Sequence, residues 1–127
     1  MIYGVGIDME LISRIEKSIE QFDHAFLKKI YTPVEIAYCS SKGKPSQHFA
    51  ARFAAKEAFA KAIGTGWQAQ FRWLDVEVVN DQLGKPSIRL YNELANYFSS
   101  YILHLSLSHT ADSVAAVVVV EQSNIQT

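Results

Sequence analysis

The chain has 127 residues, a length that suits one domain with room for a buried core, and its formal net charge is −1. That charge supplies no global basic field, so neither nucleic acid nor an anionic membrane is an expected partner. The single cysteine, Cys39, excludes an internal disulfide and offers no zinc-like Cys/His spacing, so it is read as a structural residue. From the N-terminus, Ile2, Val5 and Ile7 with two interspersed glycines predict a strand over residues 2 to 7, leaving Asp8 at its exit as an N-cap or turn former. Leu11, Ile12, Ile15 and Ile19 recur at helical spacing from about residue 10, and Phe22, Phe26, Leu27 and Ile30 suggest a second short helix. Thr32-Pro33-Val34-Glu35 is a helix start with a capping box, and the helix covers about 33 to 40.

Residues 41 to 46, with Gly43 and Pro45, read as a loop, and Ser46 is expected to cap a helix over about 47 to 63. Phe49, Ala50, Phe53, Ala54, Ala58 and Ala62 predict that this helix is largely buried, and Gly64-Thr65-Gly66 ends it. A strand over 73 to 79 is expected to carry Trp73, Asp75, Glu77 and Val79 on one face. It is followed by a turn over 80 to 84 and a returning strand over 87 to 90. A short helix over 93 to 101 precedes strands over 102 to 108 and 114 to 121, which pair across His109 to Ser113. Helices followed by mostly antiparallel strands define a single α+β domain over residues 1–127. No segment reads as a signal peptide or a membrane span, so a soluble, cytoplasmic protein is expected.

The residues suited to chemistry interrupt apolar elements. Arg52, Lys56, Glu57 and Lys61 sit in the buried-looking helix, and Glu57 and Lys61 share one of its faces. They form either an exposed ion pair or a ligand site, because burying several charges without partners is costly. Asp8 adds a second carboxylate, and two carboxylates match what Mg²⁺ takes from a protein. Ser106, Ser108, His109 and Thr110 offer donors to a phosphate at a strand end, or else simply form a polar turn. Gly84-Lys85-Pro86 reads first as turn chemistry.

The ordered set of these motifs resembles the holo-acyl-carrier-protein synthase family of phosphopantetheinyl transferases. The stretches are Gly4-Val5-Gly6-Ile7-Asp8 with Arg14, then Thr32-Pro33-Val34-Glu35, then the block Arg52 to Gly66. Asp75-Val76-Glu77-Val78, Gly84-Lys85-Pro86 and Leu105 to Thr110 complete it. The resemblance implies transfer of 4′-phosphopantetheine from coenzyme A to a serine of apo-acyl carrier protein, with release of adenosine 3′,5′-bisphosphate, in support of fatty acid biosynthesis. It implies Mg²⁺ as cofactor, and a homotrimer with active sites between subunits. Asp8 and Glu57 match the family's metal carboxylates, and Lys61 matches the lysine near the pyrophosphate. Arg52, Lys85, Pro86, Ser108, His109 and Thr110 fall on or near positions that hold the nucleotide half of coenzyme A. Arg14 matches a basic residue that docks the acidic carrier, although Glu10, Glu16 and Glu20 make that surface mixed in sign. A related transferase for another carrier and a silent coenzyme A-binding trimer are the alternatives. The joint presence of Asp8, Glu57 and Lys61 argues against the silent module.

Overall fold

A computed structural model describes residues 1–64 and 71–123. In chain order the elements are β1 (Ile2–Leu11), α1 (Ile12–Phe22), α2 (His24–Ile30), α3 (Pro33–Ser40) and α4 (Pro45–Ile63). After a 3₁₀ turn (Trp73–Asp75) come β2 (Val76–Asn80), β3 (Pro86–Leu90), α5 (Asn92–Tyr97), β4 (Tyr101–His109) and β5 (Ser113–Gln122). Strands β1, β5 and β4 form an antiparallel sheet with β5 in the centre, and β2 and β3 form a separate antiparallel hairpin. The α+β class read from the sequence is the class observed.

The long helix α4 lies against the three-stranded sheet, and small residues decide how closely. Its Ala54, Ala55, Ala58 and Ala62 are buried. On β1, a Cβ at Gly4 would lie 1.8 Å from the carbonyl oxygen of Ala62, and one at Gly6 would lie 1.9 Å from that of Ala58. Helix and strand therefore meet backbone to backbone, and the two glycines are required for that approach. Gly6→Ala is expected to cost about 3 kcal/mol or more, because the obstructing atom belongs to the main chain and cannot change rotamer. Chemical denaturation with an unchanged m-value would measure it.

Several boundaries differ from the sequence reading for identifiable reasons. β1 continues to Leu11, paired residue by residue with β5 from Gly4–Val120 to Leu11–Ser113. Asp8 thus lies inside the strand opposite Ala116, not at its exit, and Leu11 is a strand residue. Residues 73–75 wind into the 3₁₀ turn, so the strand begins only at Val76 and Trp73 and Asp75 share no strand face with Glu77. Helix α4 starts at Pro45, with Lys44 at the cap position and Ser46 already inside it. Proline suits that first position because its missing N–H would have lacked a partner anyway. The helix ends at Gly64, whose φ is +88°; Thr65 and Gly66 lie outside the described residues. Helix α5 is shorter than expected and stops at Tyr97, because Tyr101 already pairs with Gln122 in the sheet.

The Thr32–Glu35 capping box forms as expected, but it is part of a larger buried network. Thr32 Oγ1 accepts from the Glu35 N–H at 3.2 Å, and Glu35 Oε1 accepts from the Thr32 N–H at 2.9 Å. Glu35 Oε1 also accepts from Lys56 Nζ at 2.7 Å, and Oε2 accepts from the Val78 N–H at 2.8 Å. Lys56 Nζ donates further to the carbonyls of Ile30 at 2.7 Å and Trp73 at 3.0 Å, which uses all three of its protons. Both side chains are completely inaccessible. Lys56 is therefore an internal brace of the fold and no part of a ligand site. Burial lowers its ammonium pKa, opposed chiefly by the Glu35 carboxylate.

Cys39 is fully buried, and burial pushes its thiol up to about 12, which fits the structural role read from the sequence.

Candidate active site

Alternation along β1 places Gly4, Gly6, Asp8 and Glu10 on the side facing α4. The first two admit the helix; beyond them the strand presents carboxylates. Asp8 is buried, and its Oδ1 lies 2.9 Å from Lys61 Nζ, which also donates to the Ile7 carbonyl at 3.0 Å. Asp8 Oδ2 is buried and, among the described residues, has no hydrogen-bond partner. The bond that Lys61 donates to Asp8 raises the lysine pKa and holds the ammonium charged on a side chain that is half exposed.

Two further carboxyls complete the cluster. Burial and then the Asp8 charge push Glu57 above the usual carboxylate range. Burial and then the adjacent Asp8 carboxylate, with the charge of Glu57, raise Glu10 to about 7. Glu10 was not singled out in the sequence as a site residue. Its signal was there: extending the β1 alternation past residue 7 puts it on the same face as Asp8. Arg14, exposed on α1, partly offsets these charges at Glu10.

Among the described residues, no group of three or more His, Cys, Asp or Glu side chains is placed to hold a metal ion. A hard, oxygen-seeking cation that keeps several waters needs only one or two carboxylates. Asp8, with its orphaned buried oxygen, and Glu57, destabilised by the Asp8 charge, fit Mg²⁺ on that count.

A second concave feature lies between α4, β4 and the β2–β3 turn, a cavity of about 420 Å³. Arg52, Lys85, Pro86, Ser108 and His109 all line it, together with Tyr38, His48 and Asn80. The sequence thus named five residues that the fold brings to one cavity. Thr110 is not among the lining residues; its Oγ1 accepts from the N–H groups of Asp112 and Ser113 and shapes the β4–β5 turn. Arg52 donates to Asn80 Oδ1, its guanidinium lies 4.1 Å from the centre of the Tyr38 ring, and its buried Nε has no partner among the described residues. Among the described residues no Asp or Glu lines the cavity, and Arg52 and Lys85 give it a positive field. Lys85 is positioned by the turn itself, since its N–H and that of Leu83 both donate to Asp81 Oδ1 at 2.9 Å.

Within one chain these two features stand apart. None of Asp8, Glu57 and Lys61 lines the cavity, and β5 separates the strand carrying Asp8 from the strand carrying Ser108 and His109. Arg52 and Lys61 lie nine residues apart on α4, about 13 Å along the helix axis.

The fold and these features have close relatives. A holo-[acyl-carrier-protein] synthase of Geobacter sp. (strain M21) is 50% identical over 125 residues, covering 96% of this chain and 100% of that protein. One of Solibacter usitatus is 46% identical, covering 95% and 99%. The crystal structure of the Neisseria meningitidis holo-[acyl-carrier-protein] synthase aligns with a TM-score of 0.88 at 38% identity, covering 96% of this chain and 100% of that one. A Bacillus anthracis holo-(acyl-carrier-protein) synthase, solved in complex with CoA (3′,5′-ADP), aligns with a TM-score of 0.82 at 38% identity, covering 97% and 99%. The model of the 4′-phosphopantetheinyl transferase superfamily matches residues 4–118. With that span matched and half of its residues shared with a full-length relative, the chain belongs to the 4′-phosphopantetheinyl transferase superfamily.

Proposed function

We infer that this protein transfers the 4′-phosphopantetheine group of coenzyme A to a serine of apo-acyl carrier protein and releases adenosine 3′,5′-bisphosphate, the activity that supplies carriers for fatty acid biosynthesis. The observation that carries this reading, within a chain of this superfamily, is the pairing of a carboxylate–lysine cluster with a cation-lined cavity. Phosphoryl transfer depends mainly on positioning and charge stabilisation, and these residues supply both. Arg52, Lys85, Pro86, Ser108 and His109 hold the nucleotide half of coenzyme A, with Thr110 shaping the turn beside them. Lys61, kept charged by Asp8, stabilises the charge that develops on the leaving phosphate. Asp8 and Glu57 would hold Mg²⁺, which when bound supplies charge neutralisation at the pyrophosphate.

Their separation within one chain supports a site built between subunits, the cluster of one copy facing the cavity of another. The surface for such contact is present. The outer face of β1 exposes Val5 (58%), Ile7 (61%), Met9 (68%) and Leu11 (49%), a contiguous apolar stripe of the kind that marks an interface. We read the assembly as a homotrimer of one catalytic domain per chain, working in the cytoplasm. The acidic carrier docks near the exposed Arg14 of α1.

The test mixes the protein with coenzyme A, Mg²⁺ and apo-acyl carrier protein and weighs the carrier by mass spectrometry. A phosphopantetheine mass gain is expected; none, with folded protein, overturns the reading. Asp8→Ala and Arg52→Ala should each be inactive alone. Co-refolded, the two should regain a measurable share of activity, since a mixed assembly contains intact composite sites. Failure to complement would place the whole site within one chain.

A further inference from the structure

The cation-lined cavity contains an imidazole that the transfer reaction as described does not use. His48, half-buried on the first turn of α4, lines it together with Arg52 and Lys85. Its ring meets Tyr38 edge to face, with centroids 5.9 Å apart. Tyr38 also receives two cations, Arg52 at 4.1 Å and Lys42 at 4.5 Å from its centre. The charged or titratable groups around His48 are therefore Arg52 on its own helix, Lys42 from the α3–α4 connection, Tyr38 of α3, His109 of β4 and Lys85 of the β2–β3 turn. Among the described residues no carboxylate lines the cavity to offset them.

We propose that His48 is a specificity residue of this cavity, taking up a proton from solvent as a phosphomonoester dianion enters and thereby selecting a ligand that carries one. This rests on the reading that the cavity holds the nucleotide half of coenzyme A, whose terminal phosphomonoester is the anion of that kind. The physical argument is one of charge balance. Burial and then the nearby Arg52, Lys42 and His109 hold His48 below its ordinary value and so favour its neutral ring. A dianion placed among those cations reverses the local field and favours the imidazolium. Arg52, which lines the same wall, adds a fixed partner for an incoming anion beside His48. A monoanionic phosphodiester, or a ligand with a free hydroxyl at that position, attracts the proton less. His48 therefore adds a pH-dependent discrimination to the attraction that Arg52 and Lys85 provide.

The experiment follows the four histidines by NMR, titrating the ring C–H signals in free protein and in protein saturated with adenosine 3′,5′-bisphosphate. The His48 signal is identified by its loss in His48→Phe. Its midpoint is expected to rise by about one unit or more on saturation. In parallel, the preference of His48→Phe for coenzyme A over dephospho-coenzyme A, read as the ratio of kcat/KM, should fall about threefold or more at about pH 6 and match wild type at about pH 8. The ligand's own second ionisation affects both proteins equally and cancels in the comparison. His48→Lys should restore the preference and remove its pH dependence. Binding of the bisphosphate with an unmoved His48 midpoint, or proton uptake at His109 alone, overturns this inference and leaves the transferase reading intact. A bisphosphate that perturbs no cavity resonance overturns both.

Discussion

Asp8→Asn is expected to lower kcat/KM for carrier modification by about 10²–10³-fold, the usual consequence of removing one group that stabilises transition-state charge. The same substitution should leave the unfolding free energy within about 1 kcal/mol of wild type. The two expectations come from the same geometry. Asparagine keeps an oxygen to accept from Lys61 Nζ, so the strand–helix contact at that point survives. It removes a buried negative charge whose second oxygen has no partner and which raises the pKa values of Glu10 and Glu57. The lost ion pair with Lys61 matters little to stability because the lysine is half exposed and screened by solvent. Activity measured at several Mg²⁺ concentrations, beside a urea unfolding curve, checks both. A variant with near-normal turnover would remove Asp8 from the site.

Lys56→Met is expected to show the opposite pattern, a loss of about 3–5 kcal/mol in stability. The substitution leaves the Glu35 carboxylate in a completely closed environment, with Thr32 and Val78 as its remaining donors. It also leaves the Ile30 and Trp73 carbonyls without the ammonium that satisfies them. Against a typical domain stability of about 5–15 kcal/mol, this is enough to unfold much of the population. The double variant Lys56→Met, Glu35→Leu should recover part of the loss, because no isolated charge remains buried. Denaturation midpoints of wild type, both single variants and the double variant form the cycle that tests it. Destabilisation below about 1 kcal/mol in Lys56→Met would show that water reaches the network.

These two expectations mark where the sequence was legible and where it was not. Arg52, Lys56, Glu57 and Lys61 were conspicuous as charges in an alanine-rich helix, and sequence spacing could not sort them. Lys56 faces Glu35, twenty-one residues away and visible in the sequence only as a helix cap, so its partner was hidden by a second, local role of that glutamate. The capping box, the buried face of α4 and the pairing of β4 with β5 depend on near neighbours or strict alternation, and they were readable. The end of β1 was not. Its extension to Leu11 is imposed by the length of β5, a strand more than a hundred residues later, and Glu10 joins the cluster only through that extension. The cavity residues were found through the motifs that carry the family resemblance, while His48 belongs to none of those motifs and was missed.

The glycine-lined seam between β1 and α4 also sets how this enzyme can change. Asp8 belongs to one backbone and Glu57 and Lys61 to the other, and Gly4 and Gly6 bring the two main chains into direct contact. In an ordinary core, substitutions are absorbed by side chains that shift between rotamers, and the elements they separate drift by fractions of an ångström. Here no side chain stands between strand and helix at the contact. The spacing of Asp8 from Glu57 and Lys61 is thereby insulated from mutational turnover in the surrounding core. Such a scaffold can diversify its cavity and its surface freely while the geometry of this cluster stays fixed.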